Sequence, residues 1–365
     1  MSSQQPSQLR ESKKIILTGG GTAGHVTPNI ALLPKLKASG WQVEYIGSAN
    51  GIEKQLITDL GIPYHGIASG KLRRYFDLKN FTDPFKVIKG IFDAYCALKR
   101  LKPQVVFSKG GFVTVPVILA SWLQRIPVIV HESDITPGLA NKISLPLATQ
   151  ICVTFPETLK HLRKYSNRTV CTGLPIRQEI LKGNPEIGRQ LCEFSTELPV
   201  LFVVGGSTGS GKINQAIWSV LEVLTQKFQV VHVCGKNNLN PAFDRYKHYK
   251  QFEYLGSELA DVLAIADVIV SRAGANSIFE WLALKKPHLL IPLSKAASRG
   301  DQILNAQSFQ KQGYSAVLPE EDLNPENLLQ SLDNLFENRQ GYVDKMTESL
   351  VGDSISQIMI LIDQV

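Results

Sequence analysis

Four short segments of the chain carry residue types and spacings suited to holding anions and sugars. Gly19-Gly20-Gly21-Thr22-Ala23-Gly24 satisfies G-x-G-x-x-G. Glycines there let the backbone approach a phosphate, and a following helix N-terminus offers N–H groups to its oxygens. His25 comes next, and a histidine at the mouth of an anion site can hold the anion or accept a proton. Gly205-Gly206-Ser207-Thr208-Gly209-Ser210 repeats the arrangement, with Ser207 as a hydroxyl donor. Ser271-Arg272-Ala273-Gly274-Ala275-Asn276-Ser277 leads on to Glu280, whose carboxylate could accept from both hydroxyls of a ribose. Arg177 or Arg272 could set a full charge beside a leaving group. Ser298-Arg299-Gly300-Asp301-Gln302 is the fourth segment.

Two familiar chemistries fail on these residues. A dinucleotide site expects an acidic residue at the end of the second strand to hold a ribose, and here that strand ends at Gly47-Ser48. Gly206 to Lys212 spells G-x-x-x-x-G-K, but Ile213 stands where a P-loop needs Ser or Thr on Mg²⁺. No carboxylate pair resembles a D-x-D metal ligand, so neither metal nor cofactor is expected.

The elements that must position these segments follow from periodicity. Short apolar, β-branched runs at 14–19, 41–47, 63–68, 105–108, 127–131, 150–155 and 168–172 alternate with helix-like stretches such as 28–39 and 84–101. The pattern restarts at 200–205, 230–235, 252–255, 268–271, 288–292 and 316–318. Strands alternating with helices imply βαβ units and parallel sheets, so the fold class is α/β with two Rossmann-like domains facing across a cleft. Domain limits are read as a tail over 1–13, a first domain over 14–177, a linker over 178–198 and a second domain over 199–323. C-terminal helices over 324–365 could pack back on the first domain. Each glycine cluster falls at the C-terminal end of a strand, where open α/β sheets bind ligands.

The 365 residues suit two domains, and 44% hydrophobic residues exclude a disordered chain. The polar, Gln/Ser-rich start lacks the apolar core of a secretory signal. No window carries the ~18 apolar residues of a membrane span. Five cysteines without a C-x-x-C pair read as reduced thiols. The net charge of +7 is uneven: residues 1–177 carry 23 Lys/Arg against 10 Asp/Glu, the rest 16 against 22. Basic residues concentrate between Gly70 and Lys102, interleaved with Leu72, Tyr75, Phe76, Phe81 and Phe85. Arg73, Arg74, Tyr75, Phe76, Phe81 and Phe85 form a candidate patch for an anionic membrane surface. Apolar residues from Ile88 onward are expected to pack on the sheet instead. The acidic second half argues against nucleic acid.

These motifs resemble the MurG-type peptidoglycan glycosyltransferases over nearly the whole chain. The resemblance rests on Gly19–His25 with Pro28, Lys109-Gly110-Gly111-Phe112-Val113, His131-Glu132-Ser133-Asp134 with Gly138-Leu139-Ala140-Asn141-Lys142, Gly173-Leu174-Pro175-Ile176-Arg177, Gly205-Gly206-Ser207, Ser271–Glu280 and Asp301-Gln302. Ala23 stands where the family commonly has glycine, and His-Glu-Ser-Asp replaces His-Glu-Gln-Asn. The resemblance implies a GT-B fold and inverting transfer of N-acetylglucosamine from UDP-GlcNAc to the C4 hydroxyl of lipid-linked muramoyl-pentapeptide. This would occur on the cytoplasmic face of the cell membrane, against an anionic leaflet. It implies donor contacts from Ser207, Ala275, Asn276, Ser277, Glu280, Arg177, Asp301, Gln302 and the backbone near Leu255. The acceptor would meet Thr22, Gly24, His25, Asp134 and Asn141, with Thr22, Ala23 and Gly24 also reaching the donor. His25 would be the base, with Glu132 and Asp134 as rivals. A related GT-B enzyme acting on another lipid such as diacylglycerol, or a UDP-GlcNAc 2-epimerase, is the alternative.

Overall fold

The computed structural model describes residues 13–70, 83–206, 208–295, 298–349 and 353–365. The chain divides into two compact units. The first holds the described residues through Glu132, then Pro137–Pro175 and Asp353–Val365; the second holds Ser133–Thr136 and the described part of Ile176–Gly352.

The first unit contains strands β1 (Lys14–Thr18), β2 (Gln42–Ser48), β3 (Tyr64–Ile67), β4 (Val105–Ser108), β5 (Val128–Glu132), β6 (Gln150–Val153) and β7 (Thr169–Cys171). They form one parallel sheet in the order β3-β2-β1-β4-β5-β6-β7. Its helices are α1 (Thr27–Ala38), α2 (Ile52–Thr58), α3 (Asp83–Leu101), α4 (Thr114–Leu123) and α5 (Leu139–Ser144). Strands covered on both faces read as unbroken apolar runs, as β4 does over Val105–Phe107 and β5 over Val128–Val130. Side chains alternate faces along a strand. Ile15, Leu17, Val105 and Phe107 therefore pack with Leu32 and Leu36 of α1. Ile16, Val106, Val128 and Val130 pack on the other face with Ala94, Leu98, Val117 and Ile118.

The second unit contains β8 (Val200–Val204), β9 (Gln229–Val233), β10 (Tyr249–Phe252), β11 (Val268–Ser271), β12 (His288–Leu290) and β13 (Ser315–Val317). Their parallel order is β10-β9-β8-β11-β12-β13. Its helices are α6 (Pro185–Cys192), α7 (Gly211–Ser219), α8 (Leu221–Lys227), α9 (Leu259–Ile265), α10 (Ala275–Ala283), α11 (Asp301–Lys311), α12 (Pro325–Glu337) and α13 (Arg339–Thr347).

Three sequence-based expectations change here. The strand placed at 252–255 lies three residues earlier, because Tyr249 and Phe252 pair with Val230 and Val233 of β9. Leu255 is buried, but in the loop that follows. Segment 178–198 is no linker: Asn184 caps α6 by accepting from Glu186 N–H, and Ile180, Cys192 and Phe194 enter the core of the second unit. The C-terminal helices also divide. Leu328, Leu332 and Leu335 of α12 fill the second core. A last helix, α14 (Ser354–Asp363), sends Ile355, Ile358, Met359 and Ile362 into the first, beside α1.

Candidate active site

Each sheet has a point where its strand order reverses, between β1 and β4 in the first and between β8 and β11 in the second. Ligands of open parallel sheets sit outside the carboxyl ends of the strands at such points. The glycine segments leave these four strands.

In the first unit two glycine loops touch. Gly20 N–H faces Gly110 O at 3.4 Å. Gly111 takes φ +91°, and a Cβ there would strike the Gly20 carbonyl. Tyr45 OH donates to Gly19 O at 2.8 Å, holding the loop on β2. A single 3-10 turn, Ala23–His25, separates the loop from α1, with His25 N–H donating to Thr22 O at 3.1 Å. Thr22 is exposed, while Ala23, Gly24 and His25 are half-buried. The loop thus presents its backbone and the His25 ring near the switch point.

Beneath these loops lies a buried polar layer. His131 Nε2 donates to Gly173 O at 2.9 Å, so its Nδ1 accepts from Lys109 Nζ at 2.8 Å. Burial, and then the adjacent Lys109 charge, hold His131 neutral, well below the usual histidine range. Glu132 Oε2 accepts from Gly138 N–H at 3.0 Å and Asn141 Nδ2 at 2.8 Å. Asn141, expected among the acceptor contacts, is 5% exposed and serves this buried carboxylate. Asp134, expected on the acceptor side, groups with the second unit and accepts from Asn305 Nδ2 at 3.2 Å.

In the second unit Gly206 and Gly209 take φ +96° and +78° in the turn after β8. Ser210 caps α7 by accepting from Ile213 N–H. Ser207 lies outside the described residues. Arg272, read from sequence as a charge for a leaving group, is committed to the scaffold instead. It donates to Ser210 Oγ at 2.7 Å, Ile291 O at 3.1 Å and Glu320 Oε1 at 2.6 Å. Lys212 meets the other Glu320 oxygen at 3.0 Å. Burial raises the Glu320 pKa, but the Lys212 and Arg272 hydrogen bonds outweigh it and hold the carboxyl at about 2. A depressed folded-state pKa gives stability that is complete above the unfolded value and is lost as pH falls through the folded one. Glu320→Gln is therefore expected to lower Tm at neutral pH, with the gap from wild type closing between roughly pH 4.5 and 2. Melting curves across that range check it; a gap independent of pH would rule it out.

Ala275, Asn276 and Ser277 form the first turn of α10, whose N-cap Gly274 supplies no side-chain cap. Trp281 Nε1 donates to Ser271 Oγ at 3.0 Å, pinning that helix to the end of β11. Glu280 is buried, and its Oε1 accepts from Arg177 Nε at 3.2 Å and Nη2 at 2.9 Å. Burial pushes the Glu280 pKa up and Arg177 opposes it. The sequence placed both residues at the nucleotide without pairing them. Asp301 accepts from Thr136 Oγ1 at 2.8 Å and ion-pairs Arg299 at 2.6 Å. Gln302 Oε1 accepts from Leu293 N–H at 3.1 Å, at the start of α11.

Helix α3 departs furthest from expectation. Gly90, Ala94, Ala97 and Leu98 face inward, and a Cβ on Gly90 would strike the Ala68 carbonyl. Small residues share the packing with Leu98, and Phe85, Ile88 and Phe92 point outward at 75%, 65% and 68% exposure. Trp122 and Leu123, unnoticed in the sequence, are also exposed at the end of α4. Gln124 Nε2, next along the chain, donates to Tyr95 O of α3 at 3.0 Å. Ile88 and Phe92 therefore belong to the outward face, contrary to the sequence-based reading. Arg73, Arg74, Tyr75, Phe76 and Phe81 lie outside the described residues. Among the described residues no helix is long and apolar enough to cross a membrane.

Paired glycine loops at two switch points match a known family along most of the chain. Residues 15–153 match the glycosyltransferase family 28 N-terminal domain, and residues 200–359 match the family 28 C-terminal domain. The chain belongs to glycosyltransferase family 28. It is 56% identical, over 97% of its length and 99% of the relative's, to the UDP-N-acetylglucosamine–N-acetylmuramyl-(pentapeptide) pyrophosphoryl-undecaprenol N-acetylglucosamine transferase of Lachnoclostridium phytofermentans. The protein of the same name from Lachnospira eligens is 58% identical over 96% of this chain and 98% of its own. The fold is that of Acinetobacter baumannii MurG, with a TM-score of 0.73 at 24% identity over 97% of this chain and all of that one. A solved UDP-N-acetylglucosamine 2-epimerase shares it at TM-score 0.70 and 15% identity, over 98% of this chain and 97% of its own. This family 28 member is thus a GT-B hexosyltransferase.

Proposed function

We propose that this enzyme transfers N-acetylglucosamine from UDP-GlcNAc, with inversion, to the C4 hydroxyl of undecaprenyl-diphospho-muramoyl-pentapeptide, converting lipid I to lipid II. The observation that carries this reading is the near-full-length kinship with relatives named for that transfer. In this reading the first unit holds the acceptor diphosphate on Thr22–Gly24, and His25 takes the proton of the attacking hydroxyl. Ala23 adds a methyl group to that loop and is half-buried. The second unit holds UDP-GlcNAc. The first turn of α10 faces the diphosphate, where a helix N-terminus contributes about 0.3–2 kcal/mol toward an anion. Glu280 accepts from the ribose hydroxyls. Arg177 opposes the upward push of burial on that carboxyl, and an ionised carboxylate can accept from two hydroxyls. Asp301 and Gln302 serve the sugar end, and the backbone around Leu255 the uracil.

Glu280→Ala is expected to weaken UDP binding by about 1–3 kcal/mol, the cost of losing a buried hydrogen-bond partner. Calorimetry checks it; unchanged affinity would remove Glu280 from the ribose site. The outward face of α3, with Lys86 and Lys89 beside Phe85, Ile88 and Phe92, would seat the enzyme on the anionic cytoplasmic leaflet, where the lipid-linked acceptor resides.

Radiolabel transfer from UDP-GlcNAc tests the activity. Label is expected in the lipid-linked muramoyl-pentapeptide, with none in diacylglycerol and no epimerised UDP-sugar. Label in diacylglycerol, or epimerisation without transfer, would replace this reading with one of its rivals.

A further inference from the structure

A glutamate sits under the first glycine loop where the sequence suggested no acidic partner. Glu53, in the first turn of α2, is fully buried. Its Oε1 accepts from Ser48 N–H at 3.0 Å and from the Ser48 hydroxyl, and its Oε2 accepts from Gly21 N–H at 3.2 Å. Three glycines from three places make room for it. A Cβ on Gly20 or Gly51 would run into the carboxylate, and one on Gly47 would crowd its Cγ at 3.0 Å.

We propose that Glu53 is a positioning residue for the loop Gly19–Gly24: it fixes the Gly21 amide inward and so sets the angle at which Thr22, Ala23 and Gly24 meet the acceptor. The sign of its charge rules out a direct role, since a carboxylate repels the diphosphate this loop would hold. Its charge is instead consumed by three internal donors. Gly21, at φ +86°, then turns the chain toward Thr22. One amide of the apparent anion cradle therefore belongs to the scaffold, and the ligand must be met by the residues after the turn. The assignment of this loop to the acceptor rests on the function proposed above; the hydrogen bonds do not.

Glu53→Gln preserves shape but offers one acceptor oxygen to three donors, so its NH₂ must oppose either Ser48 or Gly21. In the full-length enzyme, kcat is expected to fall about 10-fold or more, since small misplacements of positioning groups carry such costs. The acceptor KM should rise while UDP affinity stays unchanged. Parallel loss of donor and acceptor parameters would mean a merely structural role and overturn the proposal, as would wild-type kinetics. Hydrogen exchange gives a readout that needs no substrate and no variant. In the wild-type enzyme the Gly21 amide is expected to exchange at least ~10²-fold more slowly than an exposed loop amide. Fast exchange there would overturn the proposal even if the variant failed to fold. If wild-type enzyme transfers no sugar to the lipid acceptor while Gly21 is protected, the functional reading fails and the Glu53 clamp stands.

Discussion

His25→Ala is expected to lower turnover by about 10²–10⁴-fold, the usual contribution of a positioned general base. UDP affinity should be unchanged, because His25 stands on the loop after β1 in the first unit and the proposed donor residues stand in the second. An interaction made only in the transition state lowers kcat and kcat/KM equally, so steady-state kinetics in both substrates checks the claim. Other titratable candidates are engaged within their own units. Both His131 nitrogens are engaged, and burial holds the ring neutral. Glu132 is buried and accepts from Gly138 and Asn141, so Glu132→Gln should act mainly through the shape of that loop. Asp134 accepts from Asn305. A loss of only a few-fold in His25→Ala would mean that the ring orients the acceptor and that another group takes the proton. Asp134→Asn is then the next variant to measure.

Phe85→Ser combined with Phe92→Ser is expected to abolish most binding to anionic vesicles. Burying one large apolar side chain contributes about 1.5–3 kcal/mol, so losing two corresponds to roughly 10²–10⁴-fold in partitioning. Both side chains project from α3 away from its packed Gly90–Ala94–Ala97 face, so the fold should survive the change. Basic residues near an anionic leaflet contribute about 1 kcal/mol each, which makes the interaction salt-sensitive and predicts a further loss in Lys86→Glu with Lys89→Glu. Vesicle sedimentation at low and high salt checks both. A wild-type enzyme that ignores the difference between anionic and neutral vesicles would end the membrane assignment. The excess positive charge of residues 1–177 would then have to serve the acceptor diphosphate alone.

The two parallel sheets, and the glycine turns that leave their strands, were legible along the chain. Strand and helix periods are local, and a glycine that must take positive φ, as at 21, 206 and 209, marks its turn wherever it stands. Residues 268–276 show how far this reaches: the strand, the turn and the helix start are each legible from neighbours in the chain. Pairings across long separations were not legible. Arg177 meets Glu280 across 103 positions and Arg272 meets Glu320 across 48. Arg272 looked available for a ligand until the fold spent it on Glu320, Ser210 and the Ile291 carbonyl. Glu53 was passed over because it lies on α2, beyond the strand end where a ribose acid is sought, and only folding returns it to the loop. The amphipathic pattern of α3 was plain, but a pattern does not say which face packs. That was decided by Gly90, whose missing side chain lets the helix backbone close on the Ala68 carbonyl and leaves the large residues outside. Likewise only tertiary structure could decide that α14 returns to the first core while α12 stays with the second, because two apolar helix faces of similar composition differ only in the surfaces they complement.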